Sequence, residues 1–248
     1  MTAAHEMKSP DWWALAERAE IARGHLALYR KLLHDGDLCF DIGANNGYMT
    51  WAMRQLGCRV VAVEPLLAAA PHLVPHLRWR FGDDPLVTIL PMAITPSQHA
   101  FLQVQKNQPY LSSISVAWTR DSVHKVYYNE KSTYKREVPT GTLEGLVETY
   151  GVPAFVKIDV EGAEVHVAST LQTAVPLLSL EYHQDWIPVA ALNHLDRLGE
   201  YRYNYTLDNR SDFELADWVD TATLLFAMGR RLVPRGKGSW GDIYGRLK

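Results

Sequence analysis

The chain contains 248 residues, which is enough for one large domain or two small ones. Its composition is 47% hydrophobic and 21% charged, the usual balance of a globular protein, and its formal net charge is −3. With no basic excess, we do not expect a protein that binds nucleic acid through its charge. No apolar stretch reaches the roughly 18 residues that a membrane helix needs. Charged residues also interrupt the first 20 positions, where a signal-peptide core would lie, so we expect a cytoplasmic protein without a membrane partner.

The first part of the chain alternates between helical periodicity and short apolar runs. Proline and glycine mark several of the boundaries between these stretches. The elements expected in chain order are a helix over 10–34, a strand "LCFDIG" over 38–43, a helix over 46–57, a strand "RVVAVEP" over 59–65, a proline-interrupted helical stretch over 66–79 and a strand "LVTILPMAI" over 86–94.

Residues 97–139 break this alternation, with two strand-like runs, "AFLQVQ" and "REVPT", separated by a polar, tyrosine-rich loop. After them the alternation of strands and helices returns. The remaining expected elements are a helix over 142–150, a strand "AFVKIDV", a helix from Gly162, a strand "PLLSLEY", a helix over 187–199 and a tail of antiparallel strands at "RYNYTLD", "FELAD" and "TATLLFAM".

Apolar strands that alternate with helices predict an α/β fold with a doubly wound, mostly parallel sheet covered on both faces. We expect an N-terminal helical segment over 1–35 and one domain over 36–248, with an insertion around 97–139. Ligands of such sheets bind beyond the carboxyl ends of the strands. Polar residues follow those ends in this sequence, namely Asp41, Glu64, Asp159, Glu161, Glu181 and His183.

The turn "DIGANNG" follows the first strand and indicates a small ligand close to the backbone. Gly43 can take a positive φ, and Gly47 allows the next helix to pack tightly. The spacing differs from the G-x-G-x-x-G of dinucleotide sites, so a nicotinamide dehydrogenase is disfavoured. Glu64, 21 residues after Gly43, can accept hydrogen bonds from both hydroxyls of a ribose. A ribose without a pyrophosphate fits S-adenosylmethionine.

The segment "FVKIDVEGAEVHVASTL" resembles the most characteristic part of the FkbM family of S-adenosylmethionine-dependent methyltransferases. Further segments resemble that family in the same order, over about residues 38–245; they are "CFDIGANNGYMT", "VVAVEP", "PMAIT", "SSIS", "GTLEGLVETYG", "LLSLEYH" and "GDIYGR". The resemblance implies a seven-stranded class I methyltransferase sheet with an antiparallel last strand. It also implies methyl transfer to a hydroxyl of a small metabolite, sugar or natural product.

The resemblance further implies how the residues of this chain divide around the cofactor. Asp41, Gly43, Ala44, Asn45 and Gly47 would lie at the methionine part, and Glu64 with Pro65 at the ribose. Residues near Asp83 and Ala93 would border the adenine. By its place at a strand end of the predicted sheet, Asp159 is expected closest to the methyl group.

Methyl transfer to a hydroxyl also needs a group that takes the proton. His183 is the best candidate by its ordinary pKa, and Asp159 and Glu181 stand at neighbouring strand ends. We do not expect a metal; the alternative is Mg²⁺ held by Asp159, Glu181 and Asp185. A catalytically inactive cofactor-binding module and an N-methyltransferase remain the alternatives for the whole chain.

Overall fold

The computed structural model describes residues 16–121, 133–183, 186–208, 210–232 and 239–248. Within these ranges the side chains of residues 16–21 and 119–121 are left out of the description. The strands are β1 (Leu38–Ile42), β2 (Arg59–Val63), β3 (Val87–Leu90), β4 (Ala93–Ile94), β5 (Ala100–Gln105), β6 (Thr133–Val138), β7 (Thr140–Gly141), β8 (Phe155–Ile158), β9 (Leu177–His183), β10 (Tyr201–Tyr205) and β11 (Trp240–Leu247).

The helices lie between these strands, as the alternation in the sequence predicts. They are α1 (Ala16–Tyr29), α2 (Tyr48–Arg54), α3 (Leu66–Ala69), α4 (Pro75–Phe81), α5 (Val116–Asp121), α6 (Leu143–Tyr150), α7 (Glu164–Ala168), α8 (Val189–Leu198) and α9 (Thr221–Leu232), with short 3₁₀ turns at Pro71–Leu73 and Pro109–Leu111.

The central sheet has seven strands in the order β10-β11-β9-β8-β1-β2-β3. Neighbouring strands run parallel except β11, which is antiparallel to both β9 and β10. This arrangement confirms the expected doubly wound, mostly parallel sheet with an antiparallel last strand. The carboxyl ends of β1, β2, β8 and β9 and the beginning of β11 therefore meet at one edge.

Both faces of the sheet are covered because the central strands present apolar side chains to both sides. In β1, Phe40 and Ile42 join the core formed with α6, α7, α8 and α9, whereas Cys39 joins the core formed with α1 to α4. Tyr29 of α1 packs edge-on against Phe155 of β8, with 5.2 Å between ring centroids. The polar side chains Asp41 and Lys157 lie side by side in register on neighbouring strands and are both buried.

The C-terminal tail differs from the prediction. Residues 221–228 were expected as a strand and instead begin α9, because Leu224, Met228 and Leu232 recur at helical spacing and are all buried. Residues 213–217 form no strand. The strand that does follow, β11, contains Gly241 and Gly245, which interrupt the apolar pattern that marks the other strands.

The predicted third strand, 86–94, is divided in the structure. β3 ends at Leu90, and Ala93 and Ile94 pair with Thr140 and Gly141 in a separate two-stranded sheet. Between these short strands, β5 and β6 form an antiparallel pair. No helix in the described part of the chain combines the length and the hydrophobicity needed to cross a bilayer.

Candidate active site

A cavity of about 240 Å³ lies at the carboxyl edge of the sheet, where sites of open α/β folds are found. Its walls come from the loops after β1, β2 and β8, from residues 92–94, and from residues 109–114, which follow β5 in the chain. Glu181 of β9 and Asp242 of β11 close its far side. One cavity thus joins the glycine turn to the carboxylates at the other strand ends.

The glycine turn has the backbone conformation that its sequence predicts. Gly43 has a φ of 87°, and a Cβ there would overlap the backbone carbonyl of Asp159. Asn45, with a φ of 48°, is also left-handed, which asparagine tolerates better than most residues. Gly47 has a φ of 82° and packs against Leu77 and Phe81 of α4. The turn therefore lies against the β8 loop on one side and α4 on the other.

Glu64 lies at the end of β2 with its carboxylate inside the cavity wall. Its Oε2 accepts a hydrogen bond from the backbone N–H of Asn45, and its Oε1 accepts one from that of Leu66, both at 2.8 Å. Burial raises its pKa to about 7, despite these two hydrogen bonds. Because a carboxylate has about four acceptor positions, each oxygen can also accept from a ribose hydroxyl.

Most of the residues predicted for the cofactor line this cavity; they are Gly43, Ala44, Asn45, Glu64, Pro65, Ala93 and Asp159. Asp41 and Gly47 do not. Asp41 is buried beneath the cavity, where its Oδ2 accepts a hydrogen bond from Thr50 Oγ1. Gly47 serves the packing of α2 against α4.

Asp83, which was predicted to border the adenine, is exposed after α4 and does not line the cavity. Its neighbour Asp84 forms an ion pair with Arg54 at 2.9 Å, which fixes this loop on the outer side of α2. Met92 and Ile94 stand beside Ala93 on the wall instead. The apolar border of the cavity therefore comes from the segment after β3.

An ion-pair network centred on the buried Lys157 occupies the β8 side of the cavity. Lys157 Nζ lies 2.8 Å from Asp159 Oδ2 and 3.8 Å from Asp242 Oδ1. Removal from water would raise the pKa of Asp159, but the Lys157 ammonium holds it below its ordinary value. Asp159 is therefore an anion whose charge is shared with Lys157. This observation disfavours Asp159 as the strongest proton acceptor of the site.

The second group in this region consists of Glu161, Glu181 and His183. Their ligand atoms all lie within 4.8 Å of one another, and Glu181 Oε2 is 3.5 Å from His183 Nε2. Burial, followed by the repulsion of neighbouring carboxylates, raises the pKa values of Glu161 and Glu181 well above their ordinary range. The ring of Trp118 packs edge-on against His183 with 4.7 Å between centroids. Together the three residues offer one imidazole nitrogen and the oxygens of two carboxylates as possible ligands for a cation.

Asp185, one of the alternative metal ligands predicted with Asp159 and Glu181, lies outside the described residues. In the structure, Glu161 is the residue that joins Glu181 and His183 in a group of possible metal ligands. Asp159 is instead engaged by Lys157.

Two residues of this region have no counterpart among the predicted site residues. Asp242 belongs to β11, and only the segment "GDIYGR" hinted that this part of the chain matters. His25 lies on α1 with its Nε2 3.9 Å from Asp242 Oδ2 and lines the cavity. Burial, together with the charge of Lys157, lowers the pKa of His25 to about 3, so it is neutral. No local pattern in α1 could have indicated this contact.

Comparison with known proteins agrees with the motifs. Residues 41–205 match the model of the methyltransferase FkbM domain. None of the curated proteins matches this chain. Among solved structures, the precorrin-6y C5,15-methyltransferase of Geobacter metallireducens aligns over 99% of this chain and 94% of its own, with 13% identity and a TM-score of 0.44. A TehB-like SAM-dependent methyltransferase of Corynebacterium glutamicum aligns over 94% and 96%, with 10% identity and a TM-score of 0.43.

The assignment rests on the family match, which covers about two thirds of the chain and includes both the glycine turn and the β8 loop. It confirms the resemblance seen in the sequence. This chain belongs to the FkbM methyltransferase family and is an S-adenosylmethionine-dependent methyltransferase.

Proposed function

We propose that this protein transfers the methyl group of S-adenosylmethionine to a hydroxyl oxygen of a small metabolite, sugar or natural product. The observation that carries the proposal is the single cavity that joins Glu64, at the end of β2, to Asp159 and Glu181, at the ends of β8 and β9. The first residue suits the ribose of the cofactor. In this proposal Asp159 and Glu181 lie near the acceptor and near the proton that its hydroxyl loses.

In this proposal the cofactor lies along the β1–β2 side of the cavity. The backbone of Gly43, Ala44 and Asn45 contacts the methionine part, and Glu64 accepts hydrogen bonds from the ribose, with Pro65 beside it. The adenine lies against Ala93 and its neighbours Met92 and Ile94. Asp41 supports the turn from beneath through its hydrogen bond with Thr50.

The reaction is an in-line displacement. A lone pair of the acceptor oxygen forms a bond to the methyl carbon while the carbon–sulfur bond breaks, and its electron pair stays on sulfur as a neutral thioether. The hydroxyl proton passes to a base. Alignment of oxygen, methyl and sulfur can supply roughly 7–11 kcal/mol of the barrier.

We propose His183 as the proton acceptor, with Glu181 beside it at 3.5 Å. General base catalysis of this kind is typically worth about 10²–10⁴-fold in rate. Asp159 has a different role in the proposal. Its carboxylate, kept ionised by Lys157, faces the cavity and attracts the positively charged sulfonium.

The acceptor enters in this proposal from the side of residues 109–114, where Tyr110 and Ile114 line the cavity. We also propose the division into an N-terminal helical segment over 1–35 and a methyltransferase domain over 36–248 with an insertion around 97–139. The cavity takes a small molecule rather than nucleic acid. Both cysteines are buried free thiols, which fits the proposed cytoplasmic location.

The experiment has two stages. Calorimetry with S-adenosylmethionine and its demethylated product should show binding, and a metabolite screen with labelled cofactor should then yield a labelled product. Mass and NMR analysis of that product would locate the new methyl group. A methyl on nitrogen would replace the proposal by N-methylation. Binding without any turnover would favour a cofactor-binding module, and absence of both would overturn the proposed site.

A further inference from the structure

We propose that Glu161, Glu181 and His183 form a binding site for a divalent metal ion of the Mn²⁺ class, at the wall of the methyl-transfer cavity. The metal site itself does not depend on the proposed function. Its role toward the acceptor, described below, rests on the proposed O-methylation.

The geometry of the three side chains is close to that of a metal site. Their candidate ligand atoms lie within 4.8 Å of one another, with 3.5 Å between Glu181 Oε2 and His183 Nε2. Adjacent ligands of an octahedral ion are about 3 Å apart when each is about 2.1 Å from the metal. A small rotation of the two glutamates therefore brings all three atoms to bonding distance.

The two glutamates also present oxygens that lack partners. Oε2 of Glu161 and Oε2 of Glu181 are buried and accept no hydrogen bond within the described residues. Only 12% of the Glu181 side chain is exposed. The nearby ammonium of Lys157 is buried and lies 2.8 Å from Asp159. Its positive charge is therefore largely compensated by Asp159 and not by the two glutamates. Buried carboxylate oxygens normally have a donor or a cation, and an ion bound between the two glutamates, beside the His183 nitrogen at 3.5 Å from Glu181, would satisfy both oxygens.

The backbone around Glu161 is held in place by contacts from three segments. Ser113 Oγ donates a hydrogen bond to the carbonyl of Glu161 at 2.6 Å. Glu164 Oε1 accepts hydrogen bonds from the N–H groups of Val160 and Gly162, each at 3.2 Å. Trp118 packs against Gly162 and against the ring of His183. Such supporting contacts orient metal ligands and raise affinity.

The chemistry of the three ligands selects the ion. One imidazole and two carboxylates leave coordination positions open, unlike the closed four-ligand sets of structural zinc. A mixed set of nitrogen and oxygen ligands suits Mn²⁺ better than Mg²⁺, which prefers oxygen ligands alone. Glu161 and Glu181 line the cavity, although His183 does not, so an ion between them would be reached from the cavity.

The open positions also indicate the class of acceptor. Two neighbouring oxygens of one molecule, as in a vicinal diol or a hydroxy-carbonyl group, can coordinate the same ion. The metal lowers the pKa of the coordinated hydroxyl. In this arrangement His183 would be a metal ligand, and the more acidic hydroxyl would release its proton to water in the cavity.

The test measures metal binding directly. The full chain, treated with a chelator and then dialysed, is titrated with Mn²⁺ alone, and the free ion is followed by electron paramagnetic resonance. We expect one bound ion per chain, and Glu161→Gln and Glu181→Gln should each weaken its affinity at least tenfold. The matched control is Glu137→Gln, because Glu137 pairs with His99 at 2.9 Å on the exposed surface and belongs to no group of three possible ligands among the described residues.

The outcomes separate this inference from the proposed function. If the wild type binds no Mn²⁺, or if Glu161→Gln and Glu181→Gln bind it as tightly as Glu137→Gln does, the metal site is overturned. Circular dichroism and calorimetry with S-adenosylmethionine, run on the same metal-free samples, report folding and the cofactor site. Cofactor binding without Mn²⁺ binding would leave the proposed methyl transfer standing with His183 as the base.

Discussion

The two halves of the cavity are built in different ways. The β1–β2 half consists of a glycine turn and one glutamate, and its contacts are mostly backbone hydrogen bonds such as those accepted by Glu64. The β8–β9 half gathers titratable side chains from four separate parts of the chain, which are α1, β8 with its loop, β9 and β11. A ligand common to a whole family can be bound by backbone geometry, whereas proton handling depends on side chains placed by tertiary structure.

The largest effect is expected at His183. His183→Asn should reduce kcat by about 10²–10⁴-fold, since it removes the proposed base or metal ligand, while the affinity for S-adenosylmethionine stays within a factor of about three. Steady-state rates and calorimetry measure the two quantities. His99→Asn, an exposed histidine beside Glu137, is the control. Unchanged turnover in the His183 variant would remove this residue from the mechanism.

The next effect concerns the ion-pair network. Lys157→Met should lower the free energy of unfolding by about 3–5 kcal/mol, because it leaves the buried carboxylate of Asp242 and that of Asp159 without their cation. The double variant with Asp242→Asn should recover part of this loss. Denaturant unfolding measures both. If the double variant were no more stable than the single one, Lys157 and Asp242 would not be coupled.

A smaller effect, on cofactor affinity, is expected in the β1–β2 half of the cavity, where we propose that S-adenosylmethionine binds. Glu64→Gln should weaken S-adenosylmethionine binding by roughly 10- to 100-fold, because hydrogen bonds to a charged acceptor contribute about 1.5–3 kcal/mol. Glu200→Gln, an exposed carboxylate paired with Lys248, serves as control. Equal affinity in wild type and Glu64→Gln would place the ribose elsewhere.

The same residue predicts a pH dependence. Burial raises the pKa of Glu64 to about 7, so the carboxylate becomes protonated as the pH falls through this value. The affinity for the cofactor should then decrease by up to about tenfold per pH unit below it, since a neutral carboxyl accepts hydrogen bonds poorly. Calorimetry at about six pH values between about 5.5 and 8.5 would measure how the affinity changes with pH. Glu64→Gln should lack this particular slope.

The smallest effect is expected at Asp83. Because this side chain is exposed and does not line the cavity, Asp83→Asn should change cofactor affinity by less than about 0.5 kcal/mol. Met92→Asp, which would bring a charge to the proposed adenine wall, should weaken binding clearly. A loss in the Asp83 variant alone would restore the assignment that the sequence suggested.

The sequence was informative where the signal is local. The turn around Gly43 and the acid at position 64 belong to adjacent strand-loop units, so their spacing along the chain predicts their meeting in space. The parallel sheet followed from the same alternation. The tail was predicted wrongly because "TATLLFAM" is a short apolar run like those of the strands, and the helical spacing of Leu224, Met228 and Leu232 is what marks it as part of α9. Asp242 and His25 were not predicted as site residues, because their contacts join residues far apart in the sequence.

The position of β11 has a consequence for the synthesis of the protein. This strand enters the sheet between β9 and β10, and its Asp242 lies opposite Glu181. While a ribosome makes the chain, β9 and β10 exist before the strand that separates them, so they have to leave a gap or pair wrongly. The β8–β9 half of the cavity is therefore completed only after residues 240–247 have emerged.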